Sequence, residues 1–150
     1  MPPAPDPGRL RMLLRALRSV PAGGAVVCEP LDPWGPLLAA RRGDRVLAAE
    51  AVRPGEILAW IRAEPFAPGE DPRAWRERAA AVPSRYLVLA SRHPLALLGR
   101  RLPGARLRHR EAEALLEPAG FRILARAARA PGLWPDWVYV FLKEAGSPRR

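Results

Sequence analysis

The sequence has no Asn, Gln or Thr, one cysteine (Cys28), one lysine (Lys143), two histidines and two tyrosines. Each scarcity closes a class of chemistry. A lone cysteine makes neither an internal disulfide nor a thiolate zinc cluster. His93 and His109 are too few to form a ligand set, so no metal is expected. With Ser19, Ser84, Ser91 and Ser147, these residues are nearly all the nucleophiles and neutral proton-transfer groups available. No uncharged apolar run approaches the roughly 18 residues of a membrane span. Residues 1–8 lack the basic and apolar regions of a signal peptide, so a soluble, cytoplasmic chain is expected.

What is present is a 150-residue, 16.5 kDa chain with 49% hydrophobic and 27% charged residues. That length suits one core, and the composition is that of a globular domain rather than of a disordered chain. Of the 25 basic residues all but Lys143 are Arg, and there are 19 prolines. Arg in place of Lys fits a GC-rich genome, and the missing amides and many prolines suit a thermophile. The net charge of +10 favours anionic partners, although Arg-rich codon usage inflates that number.

Four prolines fall within residues 1–7, so a disordered tail over 1–8 and a single domain over 9–150 are expected. Leu10, Leu13, Leu14 and Leu17 stand at i, i+3, i+4 and i+7, which predicts an amphipathic helix over 9–20. The apolar run 25–28 predicts a buried strand, 35–42 a short helix closed by Gly43, and 45–50 a second strand. This is the strand-helix-strand unit of a parallel sheet. A short helix is expected over 56–62 and another over 73–82. Strands are expected over 85–91, 121–130 and 137–143, with a helix over 111–116. The alternation is an α/β pattern.

The stretch LLEPAGFRIL (115–124), followed by WVYVFLKEA (137–145), resembles the C-terminal end of class I S-adenosylmethionine-dependent methyltransferases. In that family a helix ends in an AGF turn into a long strand, and an antiparallel partner closes the sheet. LVLASRHPLALLGRRLPG (87–104) resembles the strand and insertion before that helix, and AEPF (63–66) the loop after the family's third strand. The resemblance implies a shortened, Rossmann-like, mostly parallel sheet flanked by helices, with a C-terminal antiparallel hairpin. It also implies S-adenosylmethionine as cofactor. Family members carry an acid and a glycine-rich turn after the first strand, and the matching run here is VVCEPLDPWG (26–35). Glu29 takes the acidic position and Gly35 the last glycine, while Leu31 and Pro33 replace the first two glycines. Glu50 ends the next strand where the family's ribose-binding acid stands. Asp32-Pro33-Trp34 resembles, short of one proline, the D-P-P-W motif with which some amino-methylating enzymes hold a target nitrogen; a rigid turn with a packed Trp is the alternative. Glu29, Asp32, Gly35 and Glu50 are thus the cofactor-binding candidates. No fourth strand is expected between residues 64 and 85.

Other residues carry weaker chemistry. Ser91 and His93, two apart on a strand, share a face, but no orienting acid is placed beside them. Like charges on Arg106, Arg108 and Arg110 disfavour His109 as a base. Residues 92–110 hold Arg92, Arg100, Arg101, Arg106, Arg108 and Arg110 with no acid, a segment suited to nucleic acid, an anionic surface or plain solvation. The interleaved aromatics of a single-strand binder are missing there. Two functions follow. One is methyl transfer from S-adenosylmethionine to a small molecule; the other is an inactive methyltransferase-like module that binds a protein partner or nucleic acid through 92–110. An uncovered sheet edge also gives reason for homo-oligomerisation.

Overall fold

The computed structural model describes residues 7–52, 57–67, 69–92, 109–129 and 136–144. Helix α1 spans Pro7–Ala16 and runs into a 3-10 turn at Leu17–Ser19. It starts two residues earlier than expected, because Pro7 is compatible with a first helical turn that needs no proline N–H. Strand β1 (Ala25–Glu29), helix α2 (Trp34–Arg42) and strand β2 (Arg45–Leu47) follow. Gly43 closes α2 in the left-handed conformation, φ 72°, its N–H donating to Ala39 O. Then come strand β3 (Ile57–Arg62), helix α3 (Pro72–Ala80) and strand β4 (Ser84–Arg92). Helix α4 (His109–Leu116), strand β5 (Phe121–Arg129) and strand β6 (Asp136–Lys143) complete the described elements.

The six strands form one sheet in the order β2-β1-β3-β4-β6-β5. β1 pairs in parallel with β2 and β3, and β3 in parallel with β4, whereas β6 runs antiparallel to both β4 and β5. The Rossmann-like sheet and its antiparallel C-terminal hairpin are therefore both present.

Two expectations are corrected. The run 56–62, expected as a helix, forms β3 from Ile57 onward, in the middle of the sheet. A strand with neighbours on both sides and helices over both faces buries most of its positions, here four of six, so it shows no apolar/polar alternation. With β3 in place the parallel strands number four, and the fourth strand sought between 64 and 85 lies just before that interval. Strand β2 also stops at Leu47 rather than at Glu50, which stands in a 3-10 turn at Ala49–Ala51.

Alternation on the inner strands divides the core in two. Val26, Cys28, Ala59, Ile61, Val88, Val138 and Val140 face Met12, Leu13 and Leu17 of the N-terminal helix and Trp34 and Leu38 of α2. Val27, Trp60, Leu87, Leu89, Tyr139 and Phe141 face Trp75 and Ala79 of α3 and Ala112, Leu115 and Leu116 of α4. β5 serves both, because a bulge between Ile123 and Ala125 shifts its register. Phe121 and Ile123 thus join one core and Ala127 the other.

At the amino ends of the strands a buried ion pair ties three elements. Arg42 Nε donates to Asp44 Oδ2 at 2.8 Å, and its Nη1 and Nη2 donate to Leu17 O and Val20 O. Asp44 Oδ1 accepts from Gly23 N at 2.9 Å. Leu17 O also accepts from the Val20 N–H, and both charges of the pair are met by hydrogen-bond partners, which is the condition under which a buried ion pair is tolerated.

Candidate functional site

In an open parallel sheet, ligands bind outside the carboxyl ends of the strands where the strand order reverses. Here the chain leaves β1 for β2 on one side and returns to β3 on the other, so the reversal lies at the exits of β1 and β3. Glu29 ends β1 opposite Arg62, which ends β3. Glu29, Asp32 and Gly35 thus stand together in the turn at this point, and Glu50 follows the exit of the neighbouring strand β2.

The turn is built by its own side chains. The peptide bonds Glu29-Pro30 and Asp32-Pro33 are both cis. The Gly35 N–H donates to Leu31 O. A Cβ added at Gly35 would stand 2.6 Å from Leu31 Cδ1 and 3.3 Å from Val46 Cγ1. Gly35 is therefore needed to admit Leu31, whose side chain lies over it and remains 39% exposed. Asp32 and Glu50 are exposed, while Trp34 is buried.

Glu29 points to the α3 side of the sheet. Its Oε2 accepts from both Trp60 Nε1 at 2.8 Å and Trp75 Nε1 at 2.7 Å. Arg78 Nη2 lies 3.6 Å from its other oxygen. Glu29 therefore fixes α3 against β1 and β3 besides carrying charge to the turn.

On the α2 side Trp34 Nε1 donates to Glu64 Oε1 at 3.2 Å, joining the β1 turn to the loop after β3. Arg9 lies over the Trp34 ring at 5.9 Å from its centroid. Cys28, beneath, is buried, its Sγ 3.6 Å from Pro30 O. Burial first, and then the charges of Glu29 and Glu64, push its thiol up to about 12, so it is an inert core residue.

The loop after β3 is held by Arg62, which donates to both oxygens of Glu70 at 2.6 Å and to Glu64 O at 3.0 Å. Its guanidinium lies 4.1 Å from the Phe66 ring centroid, and Phe66 meets Trp75 edge-on. Partial burial opposes ionisation of Glu70, but hydrogen bonds from Arg62 and the Ala67 N–H, with the charges of Arg62 and Arg78, hold its carboxyl below the usual range. Sequence reasoning singled out AEPF but missed Glu64 as a member of the site. The signal was an acid just past the exit of a central strand, obscured because 56–62 reads as a helix.

Ser91 is buried on β4, and its partner in the sequence reading, His93, lies outside the described residues. So does most of the Arg-rich segment, over 93–108, and so do residues 1–6 of the expected tail. Among the described residues no group of three His, Cys, Asp or Glu is placed to hold a metal ion, and no helix is long and apolar enough to cross a membrane. A cavity of about 390 Å³ lies at the opposite end of the sheet, between Glu113, Phe121, Phe141 and Glu144, away from the turn.

No family model and no curated protein matches the sequence. Solved structures do match. The Burkholderia thailandensis 1,6-didemethyltoxoflavin-N1-methyltransferase, solved with its substrate and S-adenosylhomocysteine, superposes with a TM-score of 0.65 at 14% identity, over 93% of this chain and 80% of that one. The Synechocystis magnesium protoporphyrin IX methyltransferase, solved with S-adenosylhomocysteine, gives 0.61 at 11% identity, over 91% and 83%. A chain from the complex between the Haloferax volcanii Trm112 methyltransferase activator and its methyltransferase gives 0.65 at 12% identity, over 92% and 91%. Such identities speak for architecture alone, and on that architecture they agree: the chain has the class I methyltransferase fold.

Proposed function

We propose that the chain binds S-adenosylmethionine at the carboxyl ends of β1 and β2 and passes its methyl group to a small molecule. The observation that carries this reading is the position of the Glu29–Gly35 turn at the reversal of strand order, in a fold whose solved members hold S-adenosylhomocysteine, the demethylated form of that cofactor. Asp32 and Glu50 offer exposed carboxylates, suited to ribose hydroxyls and to positive charge, and Leu31 offers an apolar surface. The cofactor would supply an activated methyl on a sulfonium. The protein's part is then to align acceptor and methyl and to exclude water, which demands little acid–base chemistry. That suits a chain with so few nucleophiles and neutral proton-transfer groups.

The test is calorimetric titration with S-adenosylmethionine, beside a thermal melt. Micromolar binding that is lost in Glu50→Ala while the fold persists is the expected result. No heat and no shift in melting would overturn the reading.

A second reading is favoured by one observation, Leu31 lying over Gly35. On this view the turn no longer holds a cofactor, and the domain binds a protein partner, or nucleic acid through residues 92–110. The neighbour solved with an activator protein supports a partner of the first kind. Nucleic-acid binding would weaken steeply with salt, and a protein partner would be captured without any response to S-adenosylmethionine.

A further inference from the structure

Helix α1 has an outer face whose only charges are arginines. Met12, Leu13, Ala16 and Leu17 are buried against the sheet, which leaves Arg11, Arg15 and Arg18 exposed. At 3.6 residues per turn these three share one stripe, rising about 10 Å along the helix and its 3-10 end. Arg42 donates to Leu17 O, Val20 O and Pro21 O, which holds the end of α2 against the end of α1. Arg41, beside it in the chain and exposed, extends the stripe. Among the described residues none of these four guanidinium groups is paired with an acid.

Codon usage accounts for how many arginines there are, not for where the acids go. Residues 7–28 and α2 contain no Asp or Glu. Helices α3 and α4, over the other face of the sheet, carry Glu77, Glu111 and Glu113 among their arginines. Asp44 is buried and held by Arg42. Asp32, Glu50 and Glu64 stand beyond the carboxyl ends of the strands, the end at which Arg9 lies over Trp34. Arg15 and Arg41 complement helix C-termini, but Arg11, at mid-helix, gains nothing from that.

What else the face lacks decides its partner. A helix that lies on a membrane inserts its apolar side. That of α1 is sunk in the core, and the exposed large hydrophobics among the described residues, Leu31 and Leu124, stand in the β1 turn and at the β5 bulge. Single-stranded nucleic acid is held by stacking on aromatics, and residues 7–28 and 35–45 contain no Phe, Tyr or Trp. Base edges and ribose hydroxyls are read largely by neutral polar side chains, and the chain has no Asn, Gln or Thr. We propose that the α1–α2 face docks on the phosphates of a DNA duplex, without sequence preference, through Arg11, Arg15, Arg18 and Arg41. The planar guanidinium matches phosphate oxygens two at a time. This surface is separate from residues 92–110, and the proposal does not depend on cofactor binding.

The experiment is titration of the whole chain, across a range of salt concentrations, into a labelled 20-base-pair DNA duplex, its single strand, the matching RNA duplex and phosphatidylserine–phosphatidylcholine vesicles. The DNA duplex should bind best. Four phosphate contacts give a slope of log affinity against log salt of about −3 to −4. In the Arg11→Ser, Arg15→Ser, Arg18→Ser triple variant, checked for folding by its melt, the slope should flatten by about 2–3. The corresponding Arg→Lys triple, which keeps the charges, should hold the slope. An Arg100→Ser, Arg101→Ser, Arg106→Ser variant should change it less than the first triple does. No binding of the duplex, tighter binding of the single strand, of the RNA or of the vesicles, or an unchanged slope in the first triple would overturn the proposal. So would a loss of slope confined to the variant at 100, 101 and 106.

Discussion

Replacing Glu29 by alanine removes one acceptor from two indoles at once. Trp60 and Trp75 both donate to its Oε2, at 2.8 and 2.7 Å, and both rings are buried. A hydrogen bond to a charged acceptor contributes about 1.5–3 kcal/mol, and a buried donor left alone costs about 1–3 kcal/mol. The side chain keeps 17% of its exposure, so water reaches part of the vacated site and the lower end of the range applies. A loss of about 3 kcal/mol follows for Glu29→Ala. Glu29→Gln keeps one oxygen for both donors and should lose about 1 kcal/mol. For a chain of this length each kcal/mol moves the melting point by about 2–4 °C, so the expected drops are roughly 6–12 °C and 2–4 °C. Thermal melts followed by circular dichroism and by tryptophan emission read both. An alanine variant melting within about 2 °C of the parent would refute the argument, because the two indoles would then be satisfied without the carboxylate.

Further outcomes follow from other contacts. Arg42→Ala strands the Asp44 carboxylate, whose side chain is fully buried, with the Gly23 N–H as its remaining partner, and should cost about 3–5 kcal/mol in urea unfolding; a loss below about 1 kcal/mol would refute it. Gly35→Ala drives a Cβ onto Leu31 Cδ1 and should cost about 1 kcal/mol, recovered when Leu31→Ala is added; strict additivity in the double-mutant cycle would show that the two do not touch. Cys28, with its thiol pushed up to about 12, should not react with a disulfide reagent at pH 8 until the chain is unfolded, and rapid labelling of the native protein would contradict its burial. Because Glu70 ionises more readily folded than unfolded, its contribution is present above the ordinary carboxyl range and fades as pH falls through the lowered folded value. Glu70→Gln should therefore flatten the acid limb of a stability–pH curve, and an unchanged limb would refute the sign.

The sequence made the sheet legible where strands carry a marked boundary. Pro21 with Gly23 and Gly24 set off β1, Pro83 preceded β4, and Gly120 opened β5. It misled at β3, since Ile57-Leu58-Ala59-Trp60-Ile61 is apolar throughout and its Leu and Ala suit a helix as well as a buried strand. Position in the middle of the sheet decided the outcome, and that is a property of long-range pairing. The Glu29–Gly35 turn was legible from its spacing after β1, but its internal construction was not. Nothing local says that Leu31 folds back on Gly35, or that Glu29 meets indoles 31 and 46 residues away. Trp34–Glu64 is hidden in the same way, 30 residues apart.

The bulge in β5 makes that strand a rectifier for the hairpin. Leu124, 46% exposed, is the residue skipped between Ile123 and Ala125. Pairing it regularly instead, with no bulge, would turn the inward residues on one side of it outward, since a slip of one position exchanges the faces of a strand. Lengthening the loop before the strand would leave both sets in place. An irregular border strand also makes a poor template for a foreign strand. The one extra residue therefore seats a single strand in two cores and at the same time discourages strands of other chains from joining the sheet at that end.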